Sequence, residues 1–132
     1  MFRTTYKIAF SETDPGGILF FAEFLKIAHI TYERFFSSLE LTRNYFLDDK
    51  YILPIVHTNA DYISPVKFGD ELVCEVMVGN LGTTSFELNY ILKNENKIAA
   101  KIQTKHVVVL KEEFNKTNIP KELLEQLRLN QN

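Results

Sequence analysis

The sequence predicts an α+β domain in which an antiparallel sheet of about five strands wraps around one long central helix. Three observations predict this fold class. Apolar residues alternate with polar ones over residues 2–10, which is typical of a half-buried strand. Apolar residues then recur at helical spacing over residues 20–39. Further alternating segments follow at the short separations of β-hairpins, so the helix is expected to pack against the concave face of their sheet.

The helix over residues 20–39 is predicted to be largely surrounded by protein, because its apolar residues cover far more than one narrow stripe. Its polar edge is restricted to Glu23, Lys26, Glu33 and Arg34. An irregular segment is expected over residues 42–51. Later strands are predicted over residues 53–64, 72–78, 86–92 and 98–110, and a short amphipathic helix over residues 121–129.

Composition narrows the class of protein. The chain has 132 residues, of which 45% are hydrophobic, and this length suits a single domain over residues 1–132. Fifteen basic and 17 acidic side chains give a net charge of -2, which provides no general attraction for nucleic acid or an anionic membrane. The single cysteine, Cys74, cannot form an internal disulfide and is expected in the core. With no apolar signal segment or bilayer-spanning run, a cytoplasmic domain is expected.

The most informative segment joins the first strand to the helix, where Asp14 is followed by Pro15, Gly16 and Gly17. Glycines let the backbone turn sharply and let a ligand approach it closely. The first N–H groups of a helix have no acceptor inside it and favour negative charge. A carboxylate beside them could attack a carbonyl or activate water while the N–H groups bind the oxyanion. The alternative is an aspartate that only caps the helix or its loop, and spacing alone favours capping.

Residues 10–25 resemble the signature of the hot-dog-fold acyl-CoA thioesterases, and Asp-Pro-Gly-Gly-Ile at residues 14–18 is similar to the Asp-Pro-Ala-Gly-Ile of the 4-hydroxybenzoyl-CoA thioesterase family. The resemblance covers residues 5–110. It implies a hot-dog fold that assembles into a homodimer or homotetramer, with active sites at the dimer interface. Residues 28–33, 53–62 and 103–107 resemble the 1,4-dihydroxy-2-naphthoyl-CoA thioesterases in particular.

By this resemblance, Asp14 corresponds to the catalytic carboxylate, which acts as nucleophile or as general base, and the backbone N–H of Phe21 corresponds to the oxyanion donor. Gly17 lies in the loop that the substrate approaches. Many acyl-CoA relatives carry histidine at the position of Phe21, so phenylalanine here favours the aromatic-acyl branches. Glu23 replaces the usual asparagine, where it complements the helix dipole or interacts with Asp14. Because a thiolate leaves readily, one carboxylate and oxyanion donors can suffice without a Ser–His–Asp set.

Coenzyme A carries phosphates, so basic side chains are expected on the surface that binds it. Lys97, Lys101 and Lys105 have even spacing, which predicts that all three share one face of the last long strand. A solvated strand face is the alternative interpretation. Thr83 and Thr84 lie in the hairpin loop near which, by resemblance, the hydroxybenzoyl enzymes hold coenzyme A, and their hydroxyls could bind the pantetheine amides.

The three histidines have no metal-ligand spacing, so no metal site is expected. His57 is expected to face the helix, where it could line the acyl pocket and bind a ring hydroxyl. His29 is expected to be buried or at an interface, and His106 to be structural.

The sequence therefore favours an acyl-CoA thioesterase acting on an aromatic acyl group. Coenzyme A is part of the substrate, and no separate cofactor, nucleic acid or membrane partner is expected. Two alternatives remain open at this point: a broad short- or medium-chain acyl-CoA hydrolase, and a non-catalytic acyl-ligand-binding protein with the same fold.

Overall fold

The computed structural model describes residues 1–131 and confirms the predicted α+β class, with a five-stranded antiparallel sheet packed against one long helix. In chain order the elements are β1 (Phe2–Lys7), a 3-10 turn (Phe10–Glu12), α1 (Phe21–Ser38), β2 (Tyr51–Ile52), β3 (Ile55–Tyr62), β4 (Glu71–Leu81), β5 (Ser85–Asn94), β6 (Lys97–Val107), β7 (Val109–Leu110), β8 (Asn115–Lys116) and α2 (Lys121–Leu129). Across residues 1–131, no helix combines the length and apolar character that crossing a membrane requires.

The main sheet has the strand order β1-β4-β5-β6-β3, with every neighbouring pair antiparallel. The strand β3 therefore lies at one edge, although it precedes the central strands in the chain. Its far end, at Tyr62, pairs with Ala100 of β6. The segment that follows β3 returns to the start of α1, where the N–H of Leu19 donates a hydrogen bond to the carbonyl of Val66 at 2.7 Å. This return brings the end of β3 and the start of α1 together.

The helix α1 covers only one face of the sheet. Its bounds, Phe21–Ser38, agree within one residue at each end with the helix predicted from apolar spacing. The prediction that protein largely surrounds it is wrong for this chain, because Phe20, Phe21 and Leu25 are exposed. The residues of α1 that are buried against the sheet are Phe24, Ile27, Ala28, Thr31, Tyr32, Phe35 and Phe36.

Two predicted strands differ from the observed ones. The strand predicted over residues 53–64 is β3, which begins at Ile55, and Pro54 separates it from the short β2, because proline lacks the N–H that a continuous ladder requires. Val108 separates β6 from β7, and its N–H donates instead to the carbonyl of Thr84 at 2.8 Å. The short strands β2, β7 and β8 form a second sheet in the order β2-β7-β8, which the alternation pattern did not predict. Cys74 is fully buried, as predicted.

Candidate active site

The start of α1 borders a cavity of about 400 Å³. Its lining is largely apolar and comes from two places: the loop that enters α1 and the segment that leaves β3. Among the described residues that line it, Asp14 is the one acidic side chain. The lining residues are Asp14, Ile18, Leu19, Phe20, Phe21, Phe24, Tyr62, Ile63, Ser64, Pro65 and Val66.

Aromatic rings form one wall of this cavity. The ring of Phe21 meets that of Tyr62 edge-on, with centroids 6.2 Å apart, and the ring of Phe24 lies 5.2 Å from Tyr62. Phe20 packs against Phe21 at 4.9 Å. Offset and edge-on contacts of this kind are the arrangements that aromatic rings prefer, and a further planar ring can join them. The wall is therefore suited to an apolar, planar group.

Asp14 both organises its own loop and contributes to the cavity lining. Its Oδ1 atom accepts hydrogen bonds from the backbone N–H of Gly16 at 2.8 Å and of Ile18 at 3.3 Å. Within residues 1–131, the Oδ2 atom has no hydrogen-bond donor. The interpretation of Asp14 as a loop-capping residue is thus correct for one oxygen. It does not cap α1 itself, whose N-cap is Phe20. The second oxygen is left for a ligand.

The two glycines after Pro15 differ in what the loop requires of them. Gly17 has φ +81°, a left-handed conformation that side chains with a Cβ rarely adopt, and its N–H donates to the carbonyl of Asp14 at 2.9 Å. A Cβ on Gly16 would lie 3.2 Å from the Oδ1 atom of Asp14. The two glycines therefore allow the tight turn that orients the carboxylate.

The first amides of α1 are available beside this carboxylate. The N–H of Phe20 donates to the carbonyl of Glu12 at 2.9 Å, and the N–H of Glu23 donates to the carbonyl of Phe20 at 2.9 Å. The N–H groups of Phe21 and Ala22 have no acceptor among residues 1–131. Unpaired amides at a helix N-terminus, together with the helix dipole, stabilise negative charge. Phe21, whose N–H is the predicted oxyanion donor, therefore has an amide without an acceptor in the described part of the chain, and Phe21 lines the same cavity as Asp14.

A buried carboxylate next to this loop was not identified as functional from the sequence. Glu12 is only 3% exposed and accepts hydrogen bonds from the Tyr6 hydroxyl at 2.5 Å and the Ala9 N–H at 2.7 Å. Its other contact is the Lys26 ammonium at 2.5 Å, which also pairs with Glu23 at 2.8 Å. The signal for it in the sequence is weak. Glu12 has the spacing of a capping box relative to residue 9, but Ala9 lacks the side-chain oxygen that completes one.

The contacts of Glu12 shift the pKa values of the whole group. Burial alone would raise the pKa of Glu12, but the hydrogen bonds from Lys26, Tyr6 and Ala9 outweigh it and hold that pKa below its ordinary value. Hydrogen bonds to Glu12 and Glu23 raise the pKa of Lys26. The pKa of Tyr6 is raised mainly by burial and, to a smaller extent, by its hydrogen bond to Glu12. Glu12 is therefore an anion at neutral pH that is bound on three sides.

The predicted common face of the three lysines is wrong. The ladder between β5 and β6 pairs Leu92 with Ala100 but Lys93 with Ile98, so Ala99 is an extra residue in a β-bulge. An extra residue reverses the alternation of side chains beyond it. Lys101 and Lys105 consequently lie on the outer face of the sheet, whereas Lys97, opposite Asn94, lies on the face that carries α1.

The prediction that His57 faces the helix is also wrong. A second irregularity lies between Ile55 and His57, and the ladder pairs His57 with Lys105 on the outer face. His57 is exposed and does not line the cavity of Asp14. His106 is fully buried, as a structural histidine would be, whereas His29 is exposed on the surface of this chain.

Thr83 and Thr84 lie at the opposite end of the sheet from Asp14. They precede Ser85, which pairs with Val107, while Tyr62 of the cavity pairs with Ala100 further along β6. One chain therefore does not bring these threonines to the cavity. Their role in substrate binding, like those of Gly17 and the lysines, stays a prediction.

Comparison with known proteins identifies the family. A model described as the thioesterase-like superfamily matches residues 8–127. The chain belongs to the thioesterase-like superfamily. The predicted enzyme class, a thioester hydrolase, is therefore confirmed, and the cavity at the start of α1 becomes the candidate active site of a thioesterase.

Three members of this superfamily show how similar the chain is to named relatives. The 1,4-dihydroxy-2-naphthoyl-CoA hydrolase of Crocosphaera subtropica is 34% identical over 131 residues, covering 94% of this chain and 93% of the relative. The protein of the same name from Rippkaea orientalis is 30% identical, and the match covers 97% of this chain and 96% of the relative. A crystal structure of the 1,4-dihydroxy-2-naphthoyl-CoA thioesterase from Synechocystis matches with TM-score 0.88 at 25% identity, covering 96% and 95%. These similarities confirm the hot-dog fold and the resemblance to this group.

Proposed function

We propose that this protein is an acyl-CoA thioesterase that hydrolyses an aromatic acyl-CoA to the free acid and coenzyme A. The observation that carries the proposal is the largely apolar cavity that both Asp14 and Phe21 line, because among residues 1–131 Asp14 keeps one carboxylate oxygen without a donor and Phe21 keeps an N–H without an acceptor. Thioester hydrolysis requires a group that attacks the carbonyl carbon or activates water, and a donor for the carbonyl oxygen. The similarity to 1,4-dihydroxy-2-naphthoyl-CoA hydrolases supports the same class of substrate.

Asp14 has two chemical routes with its Oδ2 atom. In the first, Oδ2 attacks the thioester carbon, the thiolate of coenzyme A leaves, and water hydrolyses the resulting mixed anhydride. In the second, Oδ2 takes a proton from a water molecule that attacks the same carbon. In both routes the carbonyl oxygen gains negative charge, which the N–H of Phe21 and the helix dipole stabilise. Oδ1 remains bonded to Gly16 throughout and keeps the carboxylate in place.

The aromatic wall supports an aromatic acyl group over an aliphatic one. A planar ring placed beside Tyr62 would contact the rings of Phe21 and Phe24 in the geometries that aromatic pairs favour. A short aliphatic acyl group would leave much of the 400 Å³ cavity unfilled and would bury less apolar surface. The same wall therefore provides both binding energy and discrimination.

The proposal includes assembly into a homodimer or homotetramer. The edge strand β3 is exposed and carries Ile55 and Val56, and the segment after it exposes Ile63. An exposed apolar edge is a surface that pairs readily with another chain. Antiparallel pairing of two β3 strands would place the beginning of one beside the end of the other. The partner's Thr83 and Thr84 would then approach Asp14, which one chain alone does not achieve.

The test measures hydrolysis of a panel of CoA thioesters by the wild-type protein and by Asp14→Asn. Asparagine keeps an oxygen that can accept the N–H bonds of Gly16 and Ile18, so the loop should stay folded. We expect benzoyl- and naphthoyl-type thioesters to give the highest kcat/KM, and Asp14→Asn to lower kcat by about 1,000-fold with unchanged stability.

Three outcomes would contradict parts of the proposal. Full turnover by Asp14→Asn would remove the catalytic role of Asp14. A preference for acetyl- or butyryl-CoA would indicate a broad aliphatic hydrolase. Binding of every thioester without hydrolysis would indicate a non-catalytic ligand-binding protein. A single turnover in oxygen-18 water then tests the first route. Unlabelled product together with oxygen-18 in Asp14 shows that Asp14 attacked carbon and that water then attacked the aspartyl side of the anhydride.

A further inference from the structure

Glu12 connects the two halves of the candidate active site. Its side chain accepts hydrogen bonds from Tyr6 of β1 and from Ala9 in the segment after β1, and it pairs with Lys26 of α1. Its own backbone carbonyl accepts the N–H of Phe20, the residue that precedes α1. One residue therefore ties the first strand, the loop entry and the helix to one another.

Both chemical groups of the site depend on this connection. Asp14 lies two residues beyond Glu12 in the same short loop, so fixing Glu12 limits where the carboxylate can move. The N–H of Phe21 follows Phe20 directly, so the bond from Phe20 to the Glu12 carbonyl orients the first free amide of α1. The side chain of Glu12 thus fixes the loop that carries Asp14, and its backbone carbonyl fixes Phe20, the residue before Phe21.

Other hydrogen bonds stabilise the loop that carries Asp14, but they do not connect that loop to the body of α1. The N–H of Asp14 donates to the carbonyl of Ile18 at 2.8 Å, and the N–H of Leu19 donates to Val66. These bonds close the loop on itself and attach it to the segment after β3. Neither attaches the loop to the body of α1, whereas the 2.5 Å pair of Glu12 with Lys26 does.

We infer that Glu12 is a positioning residue of the thioesterase, which sets the Asp14 carboxylate and the Phe21 N–H at the spacing that the reaction requires. The inference rests on the proposed function. Glu12 does not line the cavity and so does not touch the substrate. Its loss should therefore reduce the rate of the chemical step more than it reduces substrate binding.

The variants Glu12→Ala and Glu12→Gln separate positioning from general stabilisation. Alanine removes all three side-chain contacts. Glutamine is of the same size, and its carbonyl oxygen can still accept the Ala9 N–H while its amide donates to the Tyr6 hydroxyl. It loses the pair with Lys26, because an amide NH2 cannot accept a hydrogen bond from an ammonium. We expect Glu12→Ala to lower kcat by roughly 30- to 100-fold with KM changed less than about threefold. We expect the kcat of Glu12→Gln to lie between those of wild type and Glu12→Ala, because glutamine keeps the bonds to Tyr6 and Ala9 but not the pair with α1.

A matched control exists elsewhere in the sheet. Glu75 is also a buried carboxylate, 6% exposed, that pairs with Arg3 at 2.7 Å and Lys93 at 3.0 Å. It does not line the candidate cavity. Glu75→Ala removes a comparable buried anion and should destabilise the fold without changing kcat per folded molecule. The folded fraction of each variant is measured by denaturant unfolding under assay conditions, and kcat is expressed per folded molecule.

The results distinguish failure of this inference from failure of the proposed function. If the wild-type protein hydrolyses no CoA thioester, the proposed function fails. If Asp14→Asn is inactive but Glu12→Ala keeps the wild-type kcat per folded molecule, only the positioning role is overturned. Equal losses of kcat per folded molecule in Glu12→Ala and Glu75→Ala would also overturn it, because the loss would then follow from removing any buried carboxylate.

Discussion

The two ends of α1 differ in whether side chains of the protein bind the helix's terminal backbone groups. At the C-terminal end, the Ser38 hydroxyl donates a hydrogen bond to the carbonyl of Phe35 at 2.6 Å, which satisfies a backbone group that the helix leaves unpaired. At the N-terminal end, no side chain caps the helix, and the N–H groups of Phe21 and Ala22 have no acceptor in residues 1–131. The C-terminal end therefore bonds a terminal carbonyl within the protein, whereas the N-terminal end leaves two N–H groups that a ligand could bind.

The aromatic residues follow the same division. Near the C-terminal end, the ring of Phe86 stacks on His106 at 4.8 Å and on Phe36 at 6.0 Å, and all three are buried. Near the N-terminal end, Phe21 and Tyr62 form an edge-on pair but remain exposed. The difference teaches that one helix serves two purposes: its closed end stabilises the fold, and its open end retains surface for a ligand. Substitutions at the two ends should therefore separate stability from activity.

The largest expected effect is on stability, at the closed end. Phe35 is fully buried and packs against Phe2 and Phe36. Phe35→Ala removes a ring from a close-packed core and should lower the free energy of unfolding by about 4 kcal/mol. Urea unfolding at neutral pH measures the change. A loss below about 1 kcal/mol would show that this end is not the stabilising one.

His106 should make the closed end sensitive to acid. Burial lowers its pKa to about 4, against a smaller opposing effect of the Leu53 backbone, and its Nδ1 atom has no hydrogen-bond partner among residues 1–131. The unfolded chain binds a proton near pH 6.5 while the folded chain does not, so stability falls as pH drops from about 6.5 towards 4. The loss is on the order of 3 kcal/mol.

The measurement for His106 is the free energy of unfolding as a function of pH, compared with His106→Gln. The variant should be less stable at pH 7 because it disrupts the contacts of the ring with Tyr32 and Phe86. Its stability should nevertheless fall less steeply between pH 6.5 and 4, since it has no imidazole to protonate. Parallel curves for the two proteins would show that His106 does not cause the acid sensitivity.

At the open end, Phe21→Ala should change activity more than stability. The Phe21 ring is 59% exposed, so its removal should change the free energy of unfolding by less than about 1 kcal/mol. Its contact with a bound acyl ring is lost, and kcat/KM for benzoyl-CoA should fall by about tenfold. The backbone N–H is retained, so acetyl-CoA should be affected much less. Equal losses for both thioesters would show that the ring does not select aromatic groups.

Local sequence patterns predicted the parts of this molecule that local physics determines. The bounds of α1 could be predicted within one residue because its apolar spacing persists over five turns and Pro-Gly-Gly precedes it. The proximity of Asp14, Gly17 and Phe21 could be anticipated in the same way, because they lie in one continuous segment. Their roles were inferred from the family resemblance, since spacing alone favoured Asp14 as a capping residue, and those roles stay predictions.

The parts that failed depend on pairing between strands. The bulge at Ala99 adds one residue to β6, and two adjacent alanines give no sign of which of them faces the core. The irregularity between Ile55 and His57 acts in the same way on β3. Each extra residue exchanges inward and outward positions, so the faces of Lys97 and His57 could not be obtained from spacing alone. The role of Tyr62 in the cavity wall could not be predicted from the sequence either, because Tyr62 contacts Phe21 only once the segment after β3 folds back to the start of α1.

The corrected position of Lys97 yields the last and smallest prediction. Lys97 is exposed on the face that carries α1. It lies near the candidate cavity, because the carbonyl of the adjacent Ile98 accepts a hydrogen bond at 2.9 Å from the hydroxyl of Ser64, a residue that lines the cavity. Lys105 lies on the outer face, opposite His57. If the phosphates of coenzyme A extend from the cavity past Lys97, Lys97→Glu should raise KM by about threefold at low salt and leave kcat unchanged. Lys105→Glu should raise KM less, and the difference should vanish near 1 M salt because screening removes it. Equal effects of the two substitutions, or an effect of Lys97→Glu that salt does not weaken, would place the phosphates elsewhere.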